Sequence, residues 1–385
     1  MRLSVISAAI VAALVGIAGA LAVVLAAAAA VDASAAQTTS WVTALCLSMA
    51  LTSGFLSWRY KVPVITAWST PGAAVIAATA GAIRIEAAVG AFIVAGALIV
   101  ATGLIGPLDR LIRRIPVAVA AGMLAGVLVR FVLQMVEVLP AAPVLVVPLL
   151  VLFLVLRRVI PSAAMLVVIA AGTALAAALG MIGSWPRLEL SSVVVVMPSF
   201  DPAVLVGLAL PLYLVTMASQ NLPGAAVIRA AGYEPPFTAA LLVTGLASIV
   251  IAPFGAHTIN LAAITAAICT GPDAHPDPAQ RWKTGVAYFF VYAGLAALGA
   301  SLVGLFAVFA SALIKTIAGL GLLGSLAAAL GSAVGDERQR FAGIMAFAVT
   351  ASGIALFGIG AAFWGLVAGL LVVAFDGLGS QTRQS

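Results

Sequence analysis

The sequence predicts an all-α polytopic membrane protein with 14 transmembrane segments, arranged as two inverted repeats of seven, with half-helices in segments 3 and 10. Three observations predict this fold: the composition, a long series of apolar runs, and the basic residues between those runs. Of the 385 residues, 64% are hydrophobic and only 8% are charged, whereas charged residues make up about 25% of ordinary soluble domains. A soluble fold cannot bury so much apolar surface, and the connections are too short for a separate soluble domain.

The charge and the cysteines exclude several other classes of protein. The 18 Lys and Arg residues give a formal net charge of +6, but they are scattered between apolar runs, where such residues set topology and do not bind nucleic acid. Cys46 and Cys269 lie in apolar runs and match no zinc or redox spacing, so we interpret them as core residues. We therefore expect no nucleic-acid partner, no metal and no cofactor.

The apolar runs define the spans in order. The first run is longer than the roughly 7–15 residues of a signal-peptide core, so it is predicted to be a spanning helix. The first repeat, residues 1–183, has spans near 5–30, 37–57, 63–81, 86–106, 115–136, 140–156 and 161–183. Residues 184–200 are predicted to form an outer connecting loop. The second repeat, residues 201–385, has spans near 201–222, 236–251, 253–271, 284–307, 317–334, 340–358 and 360–377.

The basic residues predict the topology. With both termini in the cytoplasm, the cytoplasmic side holds Arg2, Arg59, Lys61, Arg110, Arg113, Arg114, Arg157, Arg158, Arg229, Arg281, Lys283, Arg338, Arg340 and Arg383. Only Arg84, Arg187 and Lys315 lie on the outer side of the membrane, and Arg130 lies within a span. This asymmetry follows the positive-inside rule. An odd number of spans in each repeat makes the two repeats opposite in orientation.

The third span of each repeat shows an internal similarity. When residues 63–81 are aligned with residues 253–271, Pro63 meets Pro253 and Gly81 meets Gly271. Both segments are too short and too polar for a full membrane helix, and both open with residues that favour extended backbone. Each is therefore predicted to be an extended stretch followed by a half-helix.

The half-helix starts have recognisable caps. In the first copy, Ser69-Thr70-Pro71-Gly72 predicts a helix with Thr70 as its N-cap and Pro71 at its first position. In the second copy, Asn260 occupies the place of Thr70 and is also a favoured N-cap. Two helix N-termini near the midplane would present unpaired N–H groups to an anionic substrate. A Pro-kinked packing helix is the alternative.

The sequence also limits the kind of anion. Because neither of the two predicted half-helix starts contains Lys or Arg, tight binding of a bare anion is not expected. An apolar ring would add about 1.5–3 kcal/mol through burial. An aromatic carboxylate therefore suits a site lined by Trp68, Ala67 and Ile259.

Three further positions carry polar side chains inside predicted spans. The run Ser219-Gln220-Asn221 precedes a Pro-Gly break in span eight, and each member has helix–helix hydrogen bonding as its alternative role. His257 precedes the second half-helix and is the candidate for proton coupling; the alternative is a histidine satisfied by a neighbouring carbonyl. For Arg130 we favour snorkelling or local pairing, with Glu137 nearby.

Three segments carry a resemblance to a known family. Residues 66–72 (TAWSTPG), 219–224 (SQNLPG) and 255–262 (GAHTINLA) resemble the BenE family of bacterial benzoate/proton symporters, and the resemblance covers essentially the whole chain. That family is related to the uracil-permease and nucleobase–ascorbate transporters. The resemblance implies a core domain of spans 1–4 and 8–11, a gate domain of spans 5–7 and 12–14, and a substrate between spans 1, 3, 8 and 10. Where the nucleobase carriers have a membrane Glu in span eight, this chain has Ser219. The residue that carries the proton therefore cannot be assigned from those carriers.

The resemblance implies a secondary active transporter of the bacterial inner membrane that imports benzoate, or a similar aromatic carboxylate, with a proton. The residues expected at the substrate are Trp68, Ser69, Thr70, Gly72, Ser219, Gln220, Asn221, Thr258, Ile259 and Asn260. A carrier or channel for a nucleobase or an inorganic anion is the alternative. An enzyme is not expected, because the spans contain neither a nucleophile with a base nor a carboxylate-rich metal site. The expected partners are the substrate, protons and lipid, and a homodimer is left open.

Overall fold

Apolar runs form helices throughout the computed structural model, which describes residues 2–79, 83–105, 116–160, 164–182, 188–354, 356 and 361–381. The first half contains α1 (Leu3–Ala30), α2 (Ala35–Tyr60), α3 (Thr70–Ala77), α4 (Ile85–Leu104), α5 (Val117–Glu137), α6 (Pro143–Val159) and α7 (Ala164–Ala178). The second half contains α8 (residues 202–230), α9 (Phe237–Ile251), α10 (Ile264–Thr270), α11 (Lys283–Ala297), α12 (Gly299–Ala307), α13 (Ser311–Val334), α14 (Arg340–Ala351) and α15 (Ala361–Gln381). Two strands, β1 (Thr66–Trp68) and β2 (Ile259–Leu261), precede α3 and α10.

Several of these helices are long and apolar enough to cross a bilayer. Within the described ranges they are Ala35–Tyr60, Ile85–Leu104, Val117–Glu137, Pro202–Arg229, Phe237–Phe254 and Ser311–Val334. Two bent pairs, Leu3–Ala18 with Ala20–Ala30 and Pro278–Ala297 with Gly299–Ala307, raise the number from six to eight. The chain is therefore a mostly helical, multi-pass membrane protein, as predicted, whereas the number 14 stays a prediction. Of the residues used above, Gly81, Arg110, Arg113, Arg114, Arg187 and Arg383 lie outside the described ranges.

Helix packing divides the bundle into two groups. Helix α5 packs mainly on α13 and α14, and α14 packs on α15. In the other group, α2 packs on α11, α4 on α9, and α1 on α3. Glycines permit the closest approaches: a Cβ added to Gly126 of α5 would lie 2.7 Å from the carbonyl oxygen of Phe347 in α14.

The two strands form an antiparallel ribbon in the interior, with Ala67 opposite Asn260. Extended backbone at this depth must find partners outside the ribbon, because lipid offers none. Helix α2 supplies them for β1 and the residues before it. Ser53 Oγ accepts from Thr66 N–H at 2.9 Å, and Ser57 Oγ accepts from Val64 N–H at 3.0 Å.

The outer edge of β2 is satisfied by side chains of two other helices. Ser248 Oγ of α9 accepts from Ile259 N–H at 2.9 Å, and Asn221 Oδ1 of α8 accepts from Leu261 N–H at 2.9 Å. The ribbon is therefore held on both edges by short polar side chains. These serines and this asparagine explain how two irregular segments are stable inside an apolar bundle.

The helix starts differ from the predicted caps. Ser69, not Thr70, is the N-cap of α3, because its Oγ accepts from Gly72 N–H at 3.1 Å and Thr70 is the first helical residue. Asn260 is not a cap: it lies inside β2, and α10 begins at Ile264 after Ala263, which has no side-chain acceptor. Both cap predictions were wrong.

The error in the second copy has a structural cause. Pro253 lies in a short 3₁₀ turn that ends at Gly255, whose φ of 87° reverses the chain before the extended stretch begins. The first copy has no such turn after Pro63. As a result the first strand residue, Thr66, corresponds to Ile259 and not to Ala256, the residue that alignment of the two prolines assigns to it.

Candidate functional site

A cavity of about 210 Å³ lies where the ribbon meets the starts of α3 and α10. Its volume is below the roughly 300–1,000 Å³ of pockets for drug-sized ligands, so it suits a small molecule. It is lined by Val15, Gly16, Ala20, Met49, Ala67, Trp68, Thr70, Pro71, Ser219, Gln220, Ala262, Ala263, Thr265, Tyr288, Tyr292, Gly321, Leu322 and Ser325. We call it the central cavity.

Four of the residues expected at a substrate line the central cavity. Trp68 and Thr70 come from the ribbon and the start of α3, and Ser219 and Gln220 come from α8. The fold therefore brings together two segments that are distant in the chain, one from each half.

Helix α8 presents Ser219 and Gln220 through a local widening. Residues Met217–Asn221 form a π-helical turn, and Pro223 follows after one intervening residue, Leu222. Proline has no N–H and its ring collides with the carbonyl four residues earlier, here that of Ser219, so an α-helical turn cannot be kept. Single π-turns of this kind are frequent at functional sites.

Three more expected residues lie behind the cavity wall. Thr216 Oγ1 of α8 donates to Ser69 Oγ at 3.0 Å and lies 3.0 Å from Thr258 Oγ1. Gly72 packs against the same serine, since an added Cβ would lie 2.7 Å from Ser69 Oγ. These contacts fix the start of α3 against α8 and against the residue before β2. Ser69, Gly72 and Thr258 therefore support the cavity wall.

The remaining expected residues belong to β2 and its attachment. Asn221 holds the strand through Leu261 N–H, as described above, and Ile259 pairs with Trp68 across the ribbon. Asn260 donates from Nδ2 to the carbonyl of Leu261 at 2.9 Å, and its buried Oδ1 makes no hydrogen bond with the described residues. None of these three side chains lines the central cavity.

His257 is fully buried and both of its ring nitrogens are occupied. Trp41 Nε1–H donates to His257 Nδ1 at 3.0 Å, so Nδ1 carries no proton. Nε2 lies 3.0 Å from the carbonyl oxygen of Ser69 and must therefore be the protonated nitrogen that donates to it. The imidazole is neutral in this arrangement and does not line the cavity. This is the geometry of the alternative considered above, a histidine satisfied by a carbonyl.

Three residues of the cavity were not identified from the sequence. The hydroxyl groups of Tyr288, Tyr292 and Thr265 are buried and lie near one another, yet none makes a hydrogen bond of ordinary geometry with any part of the chain that the structure describes. The Tyr292 hydroxyl lies against α1 at Gly16, where an added Cβ would be 3.1 Å away. The available signal was the spacing of the two tyrosines, which at i and i+4 occupy one face of an otherwise apolar helix.

These hydroxyls set the chemistry of the central cavity. Among the described residues, its lining includes no Lys, Arg, His, Asp or Glu. A buried hydroxyl without a partner costs about 1–3 kcal/mol. A ligand whose carboxyl group bonds these hydroxyls would remove that cost at one end of the cavity. At its other end an aromatic ring would meet Trp68 and Tyr292, whose ring centroids are 6.5 Å apart.

The central cavity is continuous with a larger space on one side. A cavity of about 580 Å³, the vestibule, shares Pro71, Ser219, Gln220 and Ser325 with it and extends past Val117 of α5. On the other side, a cavity of about 20 Å³ is lined by Val75, Ala78, Thr79, Val127, Arg130, Gly207, Thr350, Ala361 and Ala362. Val117 and Arg130 lie about 20 Å apart along one helix. Among the described residues the bundle is thus wide at the vestibule and narrow at the 20 Å³ cavity, and we call the narrow end the closed end.

Comparison with known proteins gives consistent results. The family model "Benzoate membrane transport protein" (BenE) matches residues 1–375. The chain is 41% identical over 369 residues to the inner membrane protein YdcO of Escherichia coli, covering 94% of this chain and 93% of that protein. It is 35% identical over 372 residues to the benzoate membrane transport protein of Acinetobacter baylyi, covering 96% and 94%.

Solved structures share the fold at low sequence identity. The transmembrane domain of a cyanobacterial bicarbonate transporter, BicA, superposes with a TM-score of 0.61 at 15% identity and covers 96% of this chain and 97% of that one. SLC26A9 gives a TM-score of 0.58 at 11% identity over 96% of this chain, which spans 65% of the SLC26A9 chain. These neighbours differ from the uracil-permease group that the resemblance implied.

Proposed function

The chain belongs to the benzoate membrane transport protein (BenE) family, a family of membrane transporters and not of enzymes, and we propose that it imports benzoate or a similar aromatic carboxylate with a proton. The observation that supports this substrate is the central cavity itself. Its described lining combines aromatic walls, three neighbouring buried hydroxyls that make no hydrogen bond of ordinary geometry, and no ionised side chain.

The proposed binding mode follows from the two ends of the cavity. The ring of the substrate packs against the cavity-facing surfaces of Trp68 and Tyr292, which contributes about 1.5–3 kcal/mol through burial. Its carboxyl group receives hydrogen bonds from Tyr288, Tyr292 and Thr265. Further polar contacts come from Thr70, Ser219 and Gln220, and the other expected residues support this wall.

Proton coupling follows from the absence of charge in the lining. Desolvation of a bare carboxylate costs several kcal/mol, and no cation among the described lining residues compensates it. We therefore place the proton on the carboxyl group of the substrate, shared with the tyrosine hydroxyls. His257 is the second candidate as a proton carrier, and it would first have to lose its hydrogen bond from Trp41.

The proposed mechanism is alternating access of a core domain, α1–α4 with α8–α12, against a gate domain, α5–α7 with α13–α15. In its support, the vestibule and the 20 Å³ cavity both lie between elements of these two groups, and the vestibule is much the larger of the two. By the positive-inside rule, the vestibule faces the cytoplasm, because it reaches the start of α5 and the end of α13. Both termini are then cytoplasmic, and the two halves are inverted repeats.

Purified protein in liposomes tests the proposal. Labelled benzoate should accumulate against its gradient when an inward proton gradient is imposed, and it should do so without sodium. Unlabelled benzoate should compete, whereas uracil, sulfate and bicarbonate should not. Competition by bicarbonate or uracil would indicate another substrate on this fold, and equilibration without accumulation would indicate a channel.

A further inference from the structure

Arg130 lies on α5 at the closed end of the bundle. It lines the 20 Å³ cavity together with Val75 and Thr79 of the α3 segment and Gly207 of α8. Its guanidinium lies against the backbone of Gly353, where an added Cβ would be 2.6 Å from Nη1. An arginine inside a predicted span is costly, and such residues mark functional sites by default.

Arg130 has no acceptor among the described residues. The ion pairs within that part of the chain are Arg84–Glu86, Arg229–Glu234 and Arg340–Glu337, and Glu137 does not pair with Arg130. The interpretation of local pairing with Glu137 was therefore wrong. No hydrogen bond from Arg130 to a described residue is present either, so the guanidinium is not a structural cap for their backbone carbonyls.

A second donor without a partner lines the same small cavity. Thr350 of α14 is 2% exposed, and its Oγ1 makes no hydrogen bond within the described part of the chain. Thr79, by contrast, is satisfied by the carbonyl of Ile76 at 2.6 Å. The closed end thus holds one permanent positive charge and one unpaired hydroxyl, with no carboxylate in its described lining.

We propose that Arg130 captures the carboxylate of the substrate at the end opposite the vestibule, before the substrate reaches the central cavity. This inference rests on the proposed function. The walls of the small cavity come from α3 and α8 on one side and from α5, α14 and α15 on the other. Movement of these two groups apart opens this space as the approach to Trp68. Arg130 is then a charged, bidentate donor in the path of an anion.

The arrangement also divides the recognition between two places. Arg130 selects for negative charge at the approach, where water still solvates the anion. The hydroxyls of the central cavity bind the carboxyl group after it has acquired a proton. A charge in the central cavity itself would hold the anion too firmly for release, whereas a charge at the end of the bundle opposite the vestibule does not.

The test measures transport from each face separately. Labelled benzoate flux is followed in right-side-out and inside-out membrane vesicles for the wild type, Arg130→Gln, Arg130→Lys and Arg84→Gln. Arg84 is the matched control, because it is a mostly exposed arginine on the same predicted side and pairs with Glu86. The KM at the vestibular face is the internal control for folding in each variant.

For Arg130→Gln we expect the KM at the outer face to rise about ten- to a hundredfold, since a charge-assisted hydrogen bond is lost. The KM at the vestibular face should stay within about twofold. Arg130→Lys should give an intermediate KM at the outer face, because lysine keeps the charge but not the bidentate geometry. Arg84→Gln should match the wild type. An unchanged outer KM in Arg130→Gln, or an equal rise at both faces, overturns the role of Arg130 alone. A wild-type protein without saturable benzoate flux from either face overturns the proposed function as well.

Discussion

Tyr288 and Tyr292 stand one helical turn apart on α11 with their ring centroids 4.5 Å apart, and neither buried hydroxyl makes a hydrogen bond of ordinary geometry with a described residue. Native proteins rarely leave such groups unpaired. Because both residues line a cavity next to Trp68, a ligand is the simplest source of the missing acceptors. The pair is therefore the feature on which the binding predictions depend.

Tyr288→Phe should weaken benzoate binding and leave the empty protein at least as stable as the wild type. The substitution removes one donor to the carboxyl group, which should raise the Kd about tenfold. It also removes a buried hydroxyl that makes no hydrogen bond of ordinary geometry, so the melting temperature without ligand should not fall. Binding is measured by calorimetry and stability by thermal unfolding in detergent.

Tyr60→Phe is the matched control, because Tyr60 is exposed at the end of α2. It should change neither quantity. If the double variant Tyr288→Phe/Tyr292→Phe bound benzoate as tightly as the wild type, the carboxyl group would have to bind elsewhere in the cavity.

Gln220→Ala should impair transport more than Asn260→Ala. Gln220 lines the central cavity, whereas Asn260 lies behind it and its side chain, within the described ranges, bonds the carbonyl of Leu261. We expect the KM for benzoate to rise about five- to tenfold for the first variant, as for one lost hydrogen bond. The second should stay within about threefold. Uptake into liposomes at matched protein content measures both.

The opposite order of effects would contradict this assignment. A larger loss in Asn260→Ala would mean that its unpaired Oδ1 reaches the substrate in another conformation. Ser301→Ala serves as the control for a polar side chain outside the site, since Ser301 bonds the backbone of Glu189.

The sequence predicted the order of elements well because bilayer spanning is a local property. An apolar run of sufficient length is readable without any tertiary contact, and so are the extended stretches that precede α3 and α10. The pairing of Ala67 with Asn260 was not predicted, because it joins residues that are distant in the chain. For the same reason the roles of Ser53 and Ser248 as acceptors for strand edges could not be read in advance.

The site was predicted only in part, and for a related reason. Trp68, Thr70, Ser219 and Gln220 were recognisable because polar or aromatic residues interrupt apolar runs next to proline. Tyr288 and Tyr292 are amphipathic residues that commonly occur in membrane helices, so only their burial without partners marks them. The cap assignment of Asn260 failed because the shift between the two copies was taken from the prolines and not from the strands.

Gly126→Ala should destabilise the protein, whereas Gly324→Ala should not. A Cβ at Gly126 would lie 2.7 Å from the carbonyl oxygen of Phe347, so α5 and α14 would have to separate. Overpacking of this kind costs about 1–3 kcal/mol. At Gly324 of α13 no described atom lies within 4 Å of an added Cβ, and alanine favours the helix. Unfolding by denaturing detergent measures both; equal stabilities would contradict the packing of α5 on α14.

His257→Gln should leave proton-driven accumulation of benzoate in place while lowering thermal stability. His257 connects α2 to the start of α3, since it accepts from Trp41 Nε1–H and donates to the carbonyl of Ser69, each at 3.0 Å. Glutamine also has one acceptor and a donor, but it cannot place them where the imidazole does, so the start of α3 should loosen and the melting temperature should fall.

If the proton travels on the substrate, the dependence of uptake on an inward proton gradient is unchanged, and uptake still increases as the external pH falls. Trp41→Phe should lower stability in the same way, because it removes the donor to Nδ1 and leaves the proton path intact. Exchange of benzoate that persists in His257→Gln without accumulation would show that His257 carries the proton, and the neutral, doubly bonded imidazole would then be only one state of the transport cycle.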